Sequence, residues 1–122
     1  MKASFDEGQP IFQQVAEIIE DDILNGTYQE EDQVISVSQF TRTFSINPAT
    51  AVKGINLLVT EGILYKKRGL GMFVATGAKQ TIMKKRRERF GNEYVQKMLD
   101  EAAKLKLTED EIIQMIKDRK RS

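Results

Sequence analysis

The sequence predicts a mainly α-helical protein with one small β-hairpin, and three observations carry that reading. Apolar residues recur at three- and four-residue steps through most of the 122-residue chain, the period of a helix that buries one face. Between Ile63 and Val74 the period falls to two around Gly69 and Gly71, as in a hairpin. Prolines and capping residues stand where helices should open, and glycines where they should stop.

The first helix begins at Pro10, because a residue without an N–H suits the first helical position. It carries Ile11, Val15, Ile18, Ile19, Ile23 and Leu24 as its apolar stripe and stops at Asn25-Gly26. Glu17, Glu20, Asp21 and Asp22 stand between these and read as its solvent face. After the polar stretch Thr27 to Gln33, Ser36 with Gln39 has the spacing of a capping box and opens a short helix burying Phe40 and Phe44. Asn47 caps a third helix with Pro48 at its first position, Ala51, Ile55, Leu58 and Val59 on its stripe, and Glu61-Gly62 at its end. Gly54 inside that helix implies a close helix contact.

Only Ser45 and Ile46 separate the second helix from the cap of the third, so the two cross sharply, as in a helix-turn-helix. The hairpin that follows carries Lys66, Lys67 and Arg68 at its tip, the position of a basic wing. Residues 1–76 therefore read as a winged helix-turn-helix domain. Residues 77–122 read as a helical hairpin: a long helix from Lys79 to Leu105 that Gly91 bends, then a last helix opened by the Thr108/Glu111 capping box. So small an appendage cannot surround its own apolar stripe and should pack against a second copy. Phe90, Tyr94, Val95, Met98, Leu99, Ala102, Ile112 and Ile116 are the candidate dimer seam. A small-molecule effector pocket along that stripe is the minor reading.

Composition narrows function. The chain has no cysteine and no histidine, which removes thiolate nucleophiles, disulfides, the commonest metal ligands and the commonest general base. No nucleophile has a base placed beside it, so an enzyme is not expected, and neither a metal nor a cofactor is implied. No apolar run approaches the roughly 18 residues of a membrane span, and residues 1–8 lack the basic-then-apolar start of a secretory signal, which implies a cytoplasmic protein.

The net charge of +1 conceals a steep gradient. Residues 1–62 hold three Lys/Arg against ten Asp/Glu, residues 63–91 nine against one, and residues 92–122 seven of each. A basic middle between acidic and neutral parts is what a protein with one surface for a polyanion requires.

Pro10-Ile11-Phe12-Gln13-Gln14-Val15, Ile23-Leu24-Asn25-Gly26, Ser36, Asn47-Pro48-Ala49-Thr50, Leu57, Glu61-Gly62 and Lys67-Arg68-Gly69-Leu70-Gly71-Met72-Phe73-Val74 together resemble the N-terminal domain of the GntR family of bacterial regulators. The Asn-Pro-x-Thr opening and the two-helix C-terminal part are similar to its YtrA-like subfamily, whose small second domain chiefly dimerises. The resemblance implies control of neighbouring transporter genes; repression is the default because occupying an operator most simply blocks polymerase. Two departures stand out. Ser38 occupies the place of the family's phosphate- or base-contacting arginine, and Glu30-Glu31-Asp32 replaces its usual Pro-Gly.

The expected partner is a double-stranded DNA operator, pseudo-palindromic and bound by a homodimer. Its candidate contacts are Ser36 and Ser38 at the second helix, Asn47, Ala49, Thr50 and Lys53 at the third, and Lys66, Lys67, Arg68 and Gly69 in the wing. For Asn47, capping is weighed ahead of base contact; Lys53 is the favoured specificity residue and the wing the favoured phosphate contact. The run Lys84 to Arg89 is open between DNA contact and a solvated helix face. The alternative from another class is a winged-helix protein-interaction module without sequence-specific DNA binding.

Overall fold

The computed structural model describes residues 8–121. Residues 1–7, which carry most of the reading that no secretory start is present, and Ser122 lie outside the described residues. The chain divides into two compact units, one reaching to Met83 and one running from Lys84 onward.

The first unit contains α1 (Ile11–Leu24), α2 (Val37–Phe44), α3 (Pro48–Thr60), the antiparallel strands β1 (Leu64–Lys67) and β2 (Gly71–Val74), and the start of α4 (Ala78–Arg89). Its helix boundaries follow the local signals. Ser36 accepts a hydrogen bond from the Gln39 N–H while the Gln39 side chain accepts from the Ser36 N–H, the reciprocal box anticipated from the spacing. Asn47 Oδ1 accepts from the Ala49 N–H at 2.8 Å, with Pro48 in the first turn. Pro10 stands one position earlier than expected: it is the cap residue, with extended ψ of 138°, and its carbonyl accepts from the N–H groups of Gln13 and Gln14.

The core is built from Val15, Ile18, Ile19 and Ile23 of α1, Phe40 of α2, Ala51, Ile55 and Leu58 of α3, and Ile63, Leu64 and Val74 of the hairpin. Each large side chain taken out of water contributes about 1.5–3 kcal/mol toward offsetting chain entropy. α1 and α3 meet at Gly54, where an added Cβ would lie 2.6 Å from the Phe12 carbonyl oxygen and 2.7 Å from the Val15 side chain. No other residue fits there without moving one helix. Ala78 and Ile82 are also fully buried in this core, so the unit extends past the boundary drawn at Thr76, and the Gly77 connector is a turn within it.

Two sequence expectations are corrected. The acidic residues of α1 are not one solvent face: Glu20 and Asp22 are only 1% and 3% exposed. Asp22 follows Ile19 by three residues and Val15 by seven, and Glu20 follows Ala16 by four, so helical periodicity turns both onto inward arcs. The segment 31–34 is more than a polar loop. It runs beside β2 with the Val34 N–H donating to the Met72 carbonyl, Glu31 N–H to Val74, and Val74 N–H to Asp32. It shows no alternation of its own because the strand it joins supplies its pairing.

In the second unit α4 runs directly into a π-helical turn, Phe90–Val95, and then α5 (Gln96–Lys104). Gly91 lies in this wider turn, so the irregularity anticipated there is a change of hydrogen-bond register. Leu105 to Leu107 reverse the chain, the Leu107 N–H donating to the Ala102 carbonyl, and α6 (Glu109–Lys120) opens with the Thr108/Glu111 box. Among the described residues no helix is long and apolar enough to cross a membrane.

We expect Gly54→Ala to cost about 1–3 kcal/mol, since the methyl must push backbone and side chain apart. Chemical denaturation checks this, and an unchanged midpoint would mean that the α1–α3 contact is looser than 2.6–2.7 Å implies.

Candidate nucleic-acid interface

Every candidate DNA-contact residue named from the sequence lies in the first unit, and all but half-buried Thr50 are exposed. They differ in what their side chains are already doing. Ser36 is held by its capping box, and the Oδ1 of Asn47 by the cap of α3, which leaves the Asn47 amide nitrogen outside the cap. Ala49 and Thr50 occupy the first turn of α3, the end that a helix-turn-helix presents to a major groove.

Lys53 has an engagement that its spacing did not reveal. Its Nζ sits 4.0 Å from the centroid of the Phe12 ring on α1. Such a cation–π contact is worth about 0.5–1 kcal/mol at an exposed site, less than the roughly 1–3 kcal/mol of a good base contact. The ring contact is therefore weak enough to be displaced by a base contact of that strength.

The wing is held more firmly than a glycine-rich tip suggests. Strand register pairs Leu64 with Val74, Tyr65 with Phe73, Lys66 with Met72 and Lys67 with Gly71. The Leu70 N–H donates to the Lys67 carbonyl and closes the tip around Arg68 and Gly69. The Lys67 Nζ lies 4.3 Å from the Phe73 ring and 5.8 Å from Tyr65, so this ammonium is stacked along the hairpin. Gln33 Nε2 donates to the Leu70 carbonyl at 2.5 Å, tying the tip to segment 31–34.

At the hairpin's base, the acidic run that replaces Pro-Gly supplies acceptors. Glu30 accepts from the Gly77 N–H at 2.8 Å, and Asp32 from the Gln29 N–H at 2.8 Å. Glu31 accepts from the hydroxyls of Tyr65 and Thr76. These bonds sit beside a left-handed backbone at Glu31, φ 70°, a conformation glycine adopts more easily. The Tyr65 hydrogen bond, and then that of Thr76, hold the Glu31 carboxyl below the usual carboxylate range, while Glu31 pushes the Tyr65 phenol up.

Two residues of this surface escaped the sequence reading. Arg42, one turn after Ser38 on α2, is exposed and borders an open polar cleft of about 710 Å³ with Gln33, Ser36 and Gln39. Its Nε donates to the Ser38 carbonyl at 3.4 Å. The spacing of four from Ser38 was its available signal. Gln33 had none, because its partner is 37 residues away.

Comparison with known proteins decides the family. A crystal structure of a transcriptional regulator of the GntR family from Bacteroides thetaiotaomicron superposes with a TM-score of 0.78 at 34% identity, covering 91% of this chain and 96% of that one. The chain belongs to the GntR family of transcriptional regulators. No family model matches the chain. Among curated relatives of this GntR-family chain are two proteins of Bacillus subtilis. It is 33% identical over 66 residues to the HTH-type transcriptional repressor NagR and 30% identical over 74 residues to the HTH-type transcriptional repressor YtrA. Those alignments take 54% and 61% of this chain but only 27% of NagR and 57% of YtrA. The DNA-binding domain of AraR in complex with operator ORX1 is 29% identical, with a TM-score of 0.54 over 62% of this chain and 92% of that one. A DNA-binding regulator is the role these GntR-family comparisons support.

Glu31 is more acidic in the folded chain than in the unfolded one, so its contribution to stability is present above its unfolded pKa and is lost as pH falls through the lower folded value. We expect Glu31→Gln to lower the thermal midpoint at neutral pH, and the gap from the parent protein to close on acidification through that window. A gap constant across the acid range would show that the carboxylate charge is not what anchors the wing.

Proposed function

We propose that the chain binds a pseudo-palindromic operator as a homodimer and represses transcription by occupying it. The observation that carries this reading is the pairing, in one unit, of an exposed and capped N-terminal end of α3 with a hairpin whose cationic tip is tied down by Gln33 and whose base is held by Glu31. Ala49, Thr50 and Lys53 read base edges, while Lys66 and Arg68 neutralise phosphates beside the groove, and Lys67 lends its charge from the stacked position. Two copies joined through α5 and α6 would set recognition helices roughly 34 Å or a multiple apart. The YtrA-like subfamily is supported by the identity to YtrA and by the two-helix C-terminal part.

In the dimerising part, Ala102 and Ile112 are buried between α5 and α6, so of the seam expected from the sequence they form the hairpin's own interior. Phe90, Tyr94, Met98, Leu99 and Ile116 are exposed, as are Ile113 and Met115, apolar residues of the last helix outside the expected seam. Val95 is half-buried in the π-helical turn.

Titration of duplexes selected from the genome, at several salt concentrations, tests the division of roles. Affinity should fall steeply with salt, and Arg68→Ala should weaken all duplexes alike while lowering the log–log salt slope by about 1. Lys53→Ala should instead relax preference at one base pair. Binding indifferent to salt would overturn the DNA reading; equal, sequence-independent losses in the two variants would overturn the assignment of Lys53.

A further inference from the structure

Among the described residues of the C-terminal unit more than one apolar stripe is uncovered, and one of them, on α6, is self-complementary. On α6, Glu109, Ile113, Ile116 and Lys120 follow one another at steps of four, three and four residues, the spacing of a coiled-coil seam. Glu109 and Lys120 are exposed, and Ile113 and Ile116 are 40% and 47% exposed. The same face continues onto α5 as a groove of about 490 Å³ that Leu99 and Ala103 line together with Ile113 and Ile116.

Resting on the homodimer reading, we propose that the occupant of this face is α6 of a second copy, running antiparallel across a two-fold axis midway between Gln114 and Met115. That axis sets Ile113 against Ile116 of the partner subunit. The same register, with no further adjustment, sets Glu109 against the partner's Lys120, at both ends of the seam at once. An isologous contact demands this property: the pattern must match its own reverse. The neighbouring stripe Thr108, Ile112, Met115 and Arg119 fails the same demand, since its ends pair Thr with Arg and Ile112 is already buried within the hairpin. Charge at the ends also rejects a parallel pairing, which would set Glu109 on Glu109 and Lys120 on Lys120.

The seam is short, about 16 Å at 1.5 Å per residue. Packing α6 alone falls below the roughly 1,000 Å² that a stable interface needs, which is why the groove floor of Leu99 and Ala103 on α5 belongs to the same contact.

An acidic first turn and a basic last turn also suit the dipole of a lone helix, and charge reversal separates the two explanations. The experiment uses the full chain and measures the dimer dissociation constant by sedimentation, with helicity followed by circular dichroism. Glu109→Lys and Lys120→Glu should each raise the constant about ten-fold, because each turns two attractive pairs into repulsive ones. The double variant Glu109→Lys/Lys120→Glu should return it to near the parent value. A helix-dipole effect alone would instead make the double variant the worst of the three, and that result would overturn the proposal. So would single variants with no effect, or dimers that survive Ile113→Asp; in either case the homodimer stands and only this seam fails. A parent protein that is monomeric at every concentration would remove the homodimer reading itself.

Discussion

The orientation of α3 depends on one close approach. With no side chain at Gly54, the third helix lies directly on the backbone of Phe12 and the side chain of Val15, and its exposed face is fixed by that contact. α2 is positioned through the two-residue turn and Phe40, and the wing through Ile63 and Leu64 in the same core. A helix that rocked on α1 would move its first turn, so the packing contact at Gly54 controls where Ala49 and Thr50 point.

Given that platform, the charge distribution makes physical sense. The first sixty residues are acidic, yet Glu30, Glu31 and Asp32 each accept a hydrogen bond. Glu31 fastens the base of the hairpin whose tip is positive, Glu30 holds the turn that follows it, and Asp32 closes its own turn. Rigidity matters because a phosphate contact made by a mobile tip forfeits part of its energy in ordering that tip. The stacked Lys67 and the Gln33 bond to the Leu70 carbonyl serve the same end. On the proposed reading, affinity and specificity reside on different elements, the wing and α3.

The C-terminal unit is built on the opposite principle. Among its described residues only Ala102 and Ile112 are buried, while aromatic and aliphatic side chains stay in water. A hairpin this small offsets little chain entropy alone. In the proposed homodimer its remaining apolar surface makes assembly and stability one problem, and links the spacing of two recognition helices to the packing of two short ones.

The sequence by itself determined the elements and their order. Caps at Ser36, Asn47 and Thr108, the period change after Gly62 and the glycine at position 54 are local signals, because each reports bonds or contacts within a few residues or a missing Cβ. The fold was legible in this way and the family in the resemblance of the motif residues, and so were the exposed first turn of α3 and the basic tip. Tertiary structure alone decided what those side chains are engaged with. It placed Lys53 on Phe12, Gln33 at the wing tip, Glu31 between Tyr65 and Thr76, and Glu20 and Asp22 out of solvent. The wing contacts join residues more than thirty positions apart, and no periodicity records a partner at that distance; for the α1 acids, position on the helical stripe outweighs residue type.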